Sequence, residues 1–327
     1  MTSHVLRIVI AAACLVGAVA LSHAAQPGER RARISTLWPG PAEILAQHVT
    51  ALEEGLAAHG WNDGNMTIVH HFTDGRPDTL AQVAARIAAS RPDAIWTPTN
   101  AGAIALQSVT GAPIVVGLSQ DPVAVGLAAN LARPGGHVTG MTAPTSESVA
   151  KRLAVLLEIE PEIDSITVLY ASGDAANRLY LGALRGAVER FGLTLEEIGL
   201  NGIRAFDAEW VEARLRDAQA LIVLGDSVTY QLRERIAGAA IRYRLITIAT
   251  ARDYCMAGIL LCFGSSLSGQ FRQSADYLDR ILIGADPATL PMLPPAVHEL
   301  AVNVTTARTL HIDVPAAMIA RADEVIE

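Results

Sequence analysis

The chain has 327 residues, too many for one ordinary core, which points to two domains of roughly 150 residues each. Apolar residues make up 51% and charged residues only 18%, which excludes a disordered chain. The formal net charge of −8 argues against DNA or RNA as a partner.

Arg7 precedes an apolar run from Ile8 to Leu21, and Ser22-His23-Ala24 offers a small-residue cleavage site. This is the layout of a secretory signal peptide over residues 1–24, and it predicts a periplasmic protein. The run is short for a membrane span, which needs about 20 residues. Cys14 lacks the preceding Leu of a lipoprotein site, so a lipid anchor is not expected. After cleavage Cys255 and Cys262 remain. In an oxidising compartment a disulfide is open to them; the simpler expectation is two core residues beside an apolar strand.

From Arg33 onward short apolar runs alternate with helical patterns. Arg33–Trp38 reads as a strand, and 42–59 as a helix with Leu45, Val49, Leu52 and Leu56 at helical spacing before a Gly60 stop. Met66–Phe72 is the next strand, and Asp78 is placed to cap a helix carrying Leu80, Val83 and Ile87. Strands at 93–96 and 113–118 flank a helix over 101–109. The pattern then restarts with strands at 165–170, 194–198, 220–224 and 245–249. Helices fill the gaps, ending near Phe191, over 207–217, and through Ala240. Such alternation implies βαβ units and parallel sheets covered on both faces. The fold class is therefore α/β, with two doubly wound parallel-sheet lobes. Extended segments at His137–Met141, Ile259–Phe263 and near Leu300–Asn303 are candidate crossings between the lobes. They divide the chain into 33–141 plus about 266–298, and 142–265 plus about 299–327.

No dinucleotide fingerprint, P-loop or nucleophile elbow occurs, so no catalytic residue is named and no cofactor is expected. His70-His71 does not suggest a metal site, because neighbours on a strand face opposite ways. Arg321, Asp323 and Glu324 read as a solvated helix face.

Four runs carry a resemblance. They are Gly75-Arg76-Pro77-Asp78, Asp121-Pro122-Val123, the ten residues from Leu131 to Gly140 (LARPGGHVTG), and Ala320 to Glu327 (ARADEVIE). Together they resemble the ABC-transporter substrate-binding proteins, a family tied in part to tryptophan and tyrosine uptake. His137 stands where that family more often has Asn. The resemblance implies a type I periplasmic-binding-protein fold with three lobe crossings. It also implies a receptor that hands a small molecule to an ABC permease in the membrane.

In open parallel α/β sheets, ligands bind beyond the carboxyl ends of the strands. The loops at those ends hold the candidate ligand residues. Trp38 is placed to stack on the ligand, although it serves equally well as a core residue, and Glu43 lies beside it. Thr97, Thr99 and Asn100 precede a helix N-terminus suited to a carboxylate, although Asn100 serves equally well as a helix cap. Asp121 and Asp226 are candidates for a ligand ammonium, and Asp121 before Pro122 is also a turn former. Asn177, Ser227 and Arg252 complete the set, Arg252 as a bidentate partner for a second carboxylate or as one half of a surface ion pair near Asp253. The main expectation is a monomeric, non-catalytic importer component that closes on an amino acid or similar solute. The alternatives are a ligand receptor for a signalling membrane protein and, less favoured, an enzyme on the same fold.

Overall fold

The computed structural model describes residues 31–143, 145–295 and 298–327. The expected signal peptide and Cys14 lie outside the described residues.

The first half runs β1 (Ala32–Trp38), α1 (Ala42–Ala58), β2 (Met66–Phe72), α2 (Leu80–Ser90), β3 (Ala94–Thr97), α3 (Asn100–Gln107), β4 (Ile114–Gln120) and β5 (Val138–Ala143). Its strands form one parallel sheet in the order β2-β1-β3-β4-β5. The central strands β3 and β4 read AIWT and IVVGLSQ because helices cover both faces. The second half runs α4 (Thr145–Ile159), β6 (Ser165–Ala171), α5 (Ala175–Arg190), β7 (Thr194–Leu200), α6 (Glu209–Asp217), β8 (Ala220–Val223), α7 (Ser227–Gln231), α8 (Arg233–Tyr243), β9 (Ile246–Ala249), α9 (Arg252–Met256) and β10 (Leu261–Gly264). The chain then passes through α10 (Leu267–Leu282), β11 (Glu299–Asn303), α11 (Val304–Leu310), α12 (Ala316–Arg321) and β12 (Glu324–Ile326). The second sheet has the order β12-β11-β10-β9-β8-β6-β7 and is parallel except where β10 meets β11.

Helix α10 packs on the first sheet although it follows strands of the second. A Cβ on Gly55 of α1 would lie 2.4 Å from the Arg272 carbonyl oxygen, so a residue without a side chain lets α1 and α10 approach closely. Trp96 of β3 donates to Ser274 of α10 at 2.7 Å, and Trp61 donates to Asp279 at 3.0 Å. The chain therefore changes lobes after β5, after β10 and before β11. The segments anticipated as crossings are themselves sheet strands: β5 is an edge of the first sheet, and β10 and β11 belong to the second. One apolar cluster is continuous between the lobes, with Trp38, Leu52 and Phe271 on one side and Val223, Tyr230 and Tyr254 on the other.

Several local expectations are corrected. Asp78 caps nothing: it sits inside a 3-10 turn, Pro77–Thr79, that leads into α2, whose N-cap is Thr79. The helix expected through Ala240 is two helices that break at Leu232. Cys255 and Cys262 are core residues, as expected, but they are also bonded as a disulfide, with Cα atoms 5.9 Å apart. The turn after α9, with Gly258 at φ +114°, reverses the chain and brings them together. Arg321, Asp323 and Glu324 are solvent-accessible, as expected, but they do not share a helix face, because α12 ends at Arg321 and Glu324 begins β12. Arg321 pairs with Glu158, Asp323 accepts the Leu300 N–H at 2.8 Å, and Glu324 pairs with Arg252. The first tie reaches α4 and the last α9, while the bond to Leu300 adds to the backbone ladder that pairs β12 with β11.

Candidate functional site

A cavity of about 160 Å³ lies between the lobes, beyond the carboxyl ends of strands from both sheets. Space for one water is about 10–15 Å³ on this measure, so the cavity holds on the order of ten waters or a small organic molecule. Its lining is mostly apolar, with polar groups contributed by each lobe.

Trp38 ends β1 and forms part of the apolar wall. It is completely buried and packs against Trp96 at a ring-centroid distance of 4.6 Å and against the edge of Phe271 at 6.0 Å. Room for Trp96 comes from Gly117, whose Cβ would lie 2.5 Å from the indole. The Trp38 indole N–H donates to Nδ1 of His70 at 3.3 Å, so Nδ1 is the unprotonated ring nitrogen. Nε2 then carries the proton and donates to Glu53 at 3.1 Å. His70 thus orients the tryptophan. Among the described residues no group of three or more His, Cys, Asp or Glu is placed to hold a metal ion.

Thr99 and Asn100 line the cavity where β3 gives way to α3. The cap is Thr99, whose side chain accepts the Gly102 N–H at 3.2 Å. Asn100 bridges inward instead: it donates to the Gln120 carbonyl at 2.7 Å and accepts from Ser119 at 2.6 Å.

Asp226, Ser227 and Asn177 line the opposite lobe. The Asp226 carboxylate accepts four N–H groups: Ala171 at 2.7 Å, Asn177 Nδ2 at 2.9 Å, Val228 at 3.0 Å and Thr229 at 2.9 Å. A carboxylate offers roughly four lone-pair sites. None is left for a ligand ammonium, and Asp226 is the N-cap that fixes α7 against β6. Burial pushes its pKa up, against the pull of these donors.

Sequence patterns did not point to Arg152, in α4, which also lines the cavity. It is 7% exposed. Its Nε donates to the Phe263 carbonyl at 2.7 Å, Nη1 donates to the Tyr180 hydroxyl at 2.9 Å, and the guanidinium lies 5.6 Å from the Tyr180 ring centre. A signal was present: Arg152 falls between Val149, Leu153 and Leu156, on the apolar stripe of its own helix. From the first lobe, Gln120 and Gln270 also reach the cavity, and the side-chain oxygen of each is buried without a hydrogen-bond partner.

Four contacts close the lobes over the cavity. His48 of α1 meets the Tyr230 hydroxyl at 2.6 Å and Asp253 at 3.4 Å. Gln47 donates to Asp253 at 3.0 Å. The Gln231 amide lies against Gly75, where a Cβ would come within 2.3 Å of it, and this gives the Gly75-Arg76-Pro77-Asp78 run a structural role. Burial, then the charge of Asp253, pushes the Tyr230 phenol up to about 12.

Four candidates lie away from the cavity. Glu43 is exposed in the first turn of α1. Thr97 is buried and donates to the Leu37 carbonyl at 2.9 Å. Asp121, at φ 44°, accepts the Ala124 N–H at 3.1 Å and shapes a turn. Arg252 is paired with Glu324.

A family profile described as ABC transporter substrate binding protein matches residues 40–326. The Tyrosine-binding protein of Clostridioides difficile (strain R20291) is 21% identical over 266 residues, spanning 80% of this chain and 74% of that one. Among solved structures, a conserved domain protein from Vibrio cholerae O1 biovar El Tor superposes with a TM-score of 0.85 at 26% identity, covering 90% of this chain and 100% of its own. An ABC domain from Streptococcus pneumonia in complex with L-Trp gives a TM-score of 0.85 at 20% identity, with the same coverage.

Proposed function

The chain belongs to the family of ABC transporter substrate-binding proteins, and on that premise we propose that it captures an amino acid in the interlobe cavity and delivers it unchanged to an ABC permease. The observation that carries this reading is the cavity itself. It lies beyond the carboxyl ends of two parallel sheets, is bounded by both lobes, and is held shut by hydrogen bonds that cross between them. A ligand touching both lobes favours the closed form by the difference in its contacts with the closed and open states. Trp38 supplies an apolar wall, while Thr99, Asn100, Asn177 and Ser227 present polar edges. Asp226 holds the wall in place. The relatives named for tyrosine and bound to L-Trp support an amino acid with an apolar side chain as the solute.

The working unit in this reading is a periplasmic monomer without catalytic activity. Its lobes are 33–141 with about 266–298, and 142–265 with about 299–327.

A thermal-shift screen of the purified mature chain against amino acids, sugars, polyols and nucleobases tests the proposal. An amino acid at 100 times its dissociation constant should add about 2.7 kcal/mol to stability. Mass spectrometry should recover it unaltered. If another class raises the melting temperature and no amino acid does, the ligand assignment fails; conversion of the bound compound would overturn the non-catalytic reading.

A further inference from the structure

The geometry points to Arg152 as the receptor for a ligand carboxylate, and to the Gln120 and Gln270 side-chain oxygens as acceptors for a donor group at the ligand's other end. This rests on the reading of the interlobe cavity as the ligand site and deepens it by naming what the site selects.

A guanidinium taken out of water needs a counter-charge or a full set of hydrogen bonds. Arg152 is buried, yet among the described residues no carboxylate lies within ion-pair distance. Two of its five N–H groups are directed, one to the Phe263 carbonyl and one to the Tyr180 hydroxyl. Those two partners fix the plane of the group. They leave N–H groups on both terminal nitrogens, the edge that receives a carboxylate through two parallel bonds. Arg152 is therefore oriented but not neutralised by any of the described residues, and it faces the cavity.

Two acidic residues, Asp174 and Asp226, lie on the cavity wall. Asp226 has its lone pairs occupied by four donors, and it is a wall group rather than a partner of Arg152. On the other side of the cavity, Gln270 is 4% exposed and its side-chain oxygen is an orphaned acceptor; that of Gln120 is another. Buried acceptors without partners are uncommon, and each is satisfied by an N–H or O–H entering the cavity. A carboxylic acid bearing such a donor would be held by its anion on one lobe and by its donor on the other. Both ends must be present for closure to be favoured on both sides.

The test uses matched probes and two variants of the full mature chain. Tryptophan, tyrosine, phenylalanine and leucine are titrated calorimetrically beside tryptamine, tyramine, phenethylamine and isoamylamine, which lack only the carboxylate. Glucose and myo-inositol serve as carboxylate-free controls. At least one acid should bind, with its amine weaker by on the order of 10–100-fold, the loss of a charge-assisted pair. Arg152→Gln should weaken that acid by a similar factor and leave its amine unchanged. The ligand-free melting temperature of Arg152→Gln should stay level or rise, because an uncompensated buried charge has been removed. Arg152→Lys, which keeps the charge but not the fork, should fall in between.

Equal affinity of acid and amine for the wild-type chain would overturn the assignment and needs no variant. So would an acid that binds Arg152→Gln as tightly as wild type. Binding of glucose or inositol alone would overturn it while leaving the cavity as the site. If no probe binds, the amino-acid reading and this one fall together.

Discussion

Asp226 shows how a residue chosen for one role is fixed by another. A carboxylate just past an apolar strand and a glycine, at the mouth of a cleft, reads as an amine receptor. In the structure its two oxygens gather the Ala171, Val228 and Thr229 backbone N–H groups and the Asn177 amide. Removing it would leave three backbone donors without partners and strip the cap from α7. Asp226→Ala should therefore lose on the order of 3 kcal/mol in urea unfolding, combining a lost cap with buried unsatisfied donors. Asp226→Asn should also be destabilising, because whichever position becomes NH2 faces other donors. A loss under about 0.5 kcal/mol, together with loss of amine binding, would restore the ligand role.

At the scale of elements, the strand-helix alternation was readable because buried parallel strands are nearly unbroken apolar runs. Six of the candidate residues, Trp38, Thr99, Asn100, Asn177, Asp226 and Ser227, reach the cavity because strand carboxyl ends were the guide. That guide does not see residues that reach the cavity from within a helix. His48 of α1, Arg152 of α4, Tyr230 of α7 and Gln270 of α10 all do so, and each was missed, whereas Gln120 sits at the carboxyl end of β4, within the reach of the guide, without having been singled out. Helix α4 itself was hidden because the charged Arg152 interrupts its apolar face. The five-residue α9 and three-residue β12 are too short to show a period. The disulfide depends on a tight reversal that spacing alone did not settle. It links α9 to β10 across a sequence separation of 7. Closing so short a loop constrains the unfolded chain by about 2 kcal/mol. Reduction under unfolding conditions, followed by refolding in reductant, should lower the unfolding free energy by that amount, read as a lower urea midpoint, and leave the protein folded. An unchanged midpoint would mean that the pair contributes nothing to the native state.

The whole molecule is described with its lobes in contact, and the groups that hold them are separable from the groups that face the cavity. Asp253, at the start of α9, receives Gln47 at 3.0 Å and faces His48 at 3.4 Å, both from the opposite lobe, and it does not line the cavity. Its contribution to ligand affinity must come through the closed state alone. A charge-assisted hydrogen bond with a second polar neighbour contributes about 1–2 kcal/mol. Observed affinity is the intrinsic affinity scaled by the fraction of molecules that are closed. If the open form already dominates without ligand, Asp253→Ala should raise the dissociation constant by roughly 5–30-fold. The change should fall mainly in the dissociation rate, since the bound complex releases its ligand by opening. X-ray scattering of the ligand-free variant should show an equal or larger radius of gyration, and saturating ligand should return it to the wild-type value. An unchanged dissociation constant and unchanged scattering would mean that the hydrogen bonds crossing from α1 do not set the closure equilibrium. A weaker affinity with an unchanged dissociation rate would place the loss in capture rather than in closure. The two rates therefore separate a group that holds the lobes together from one that guides the ligand in.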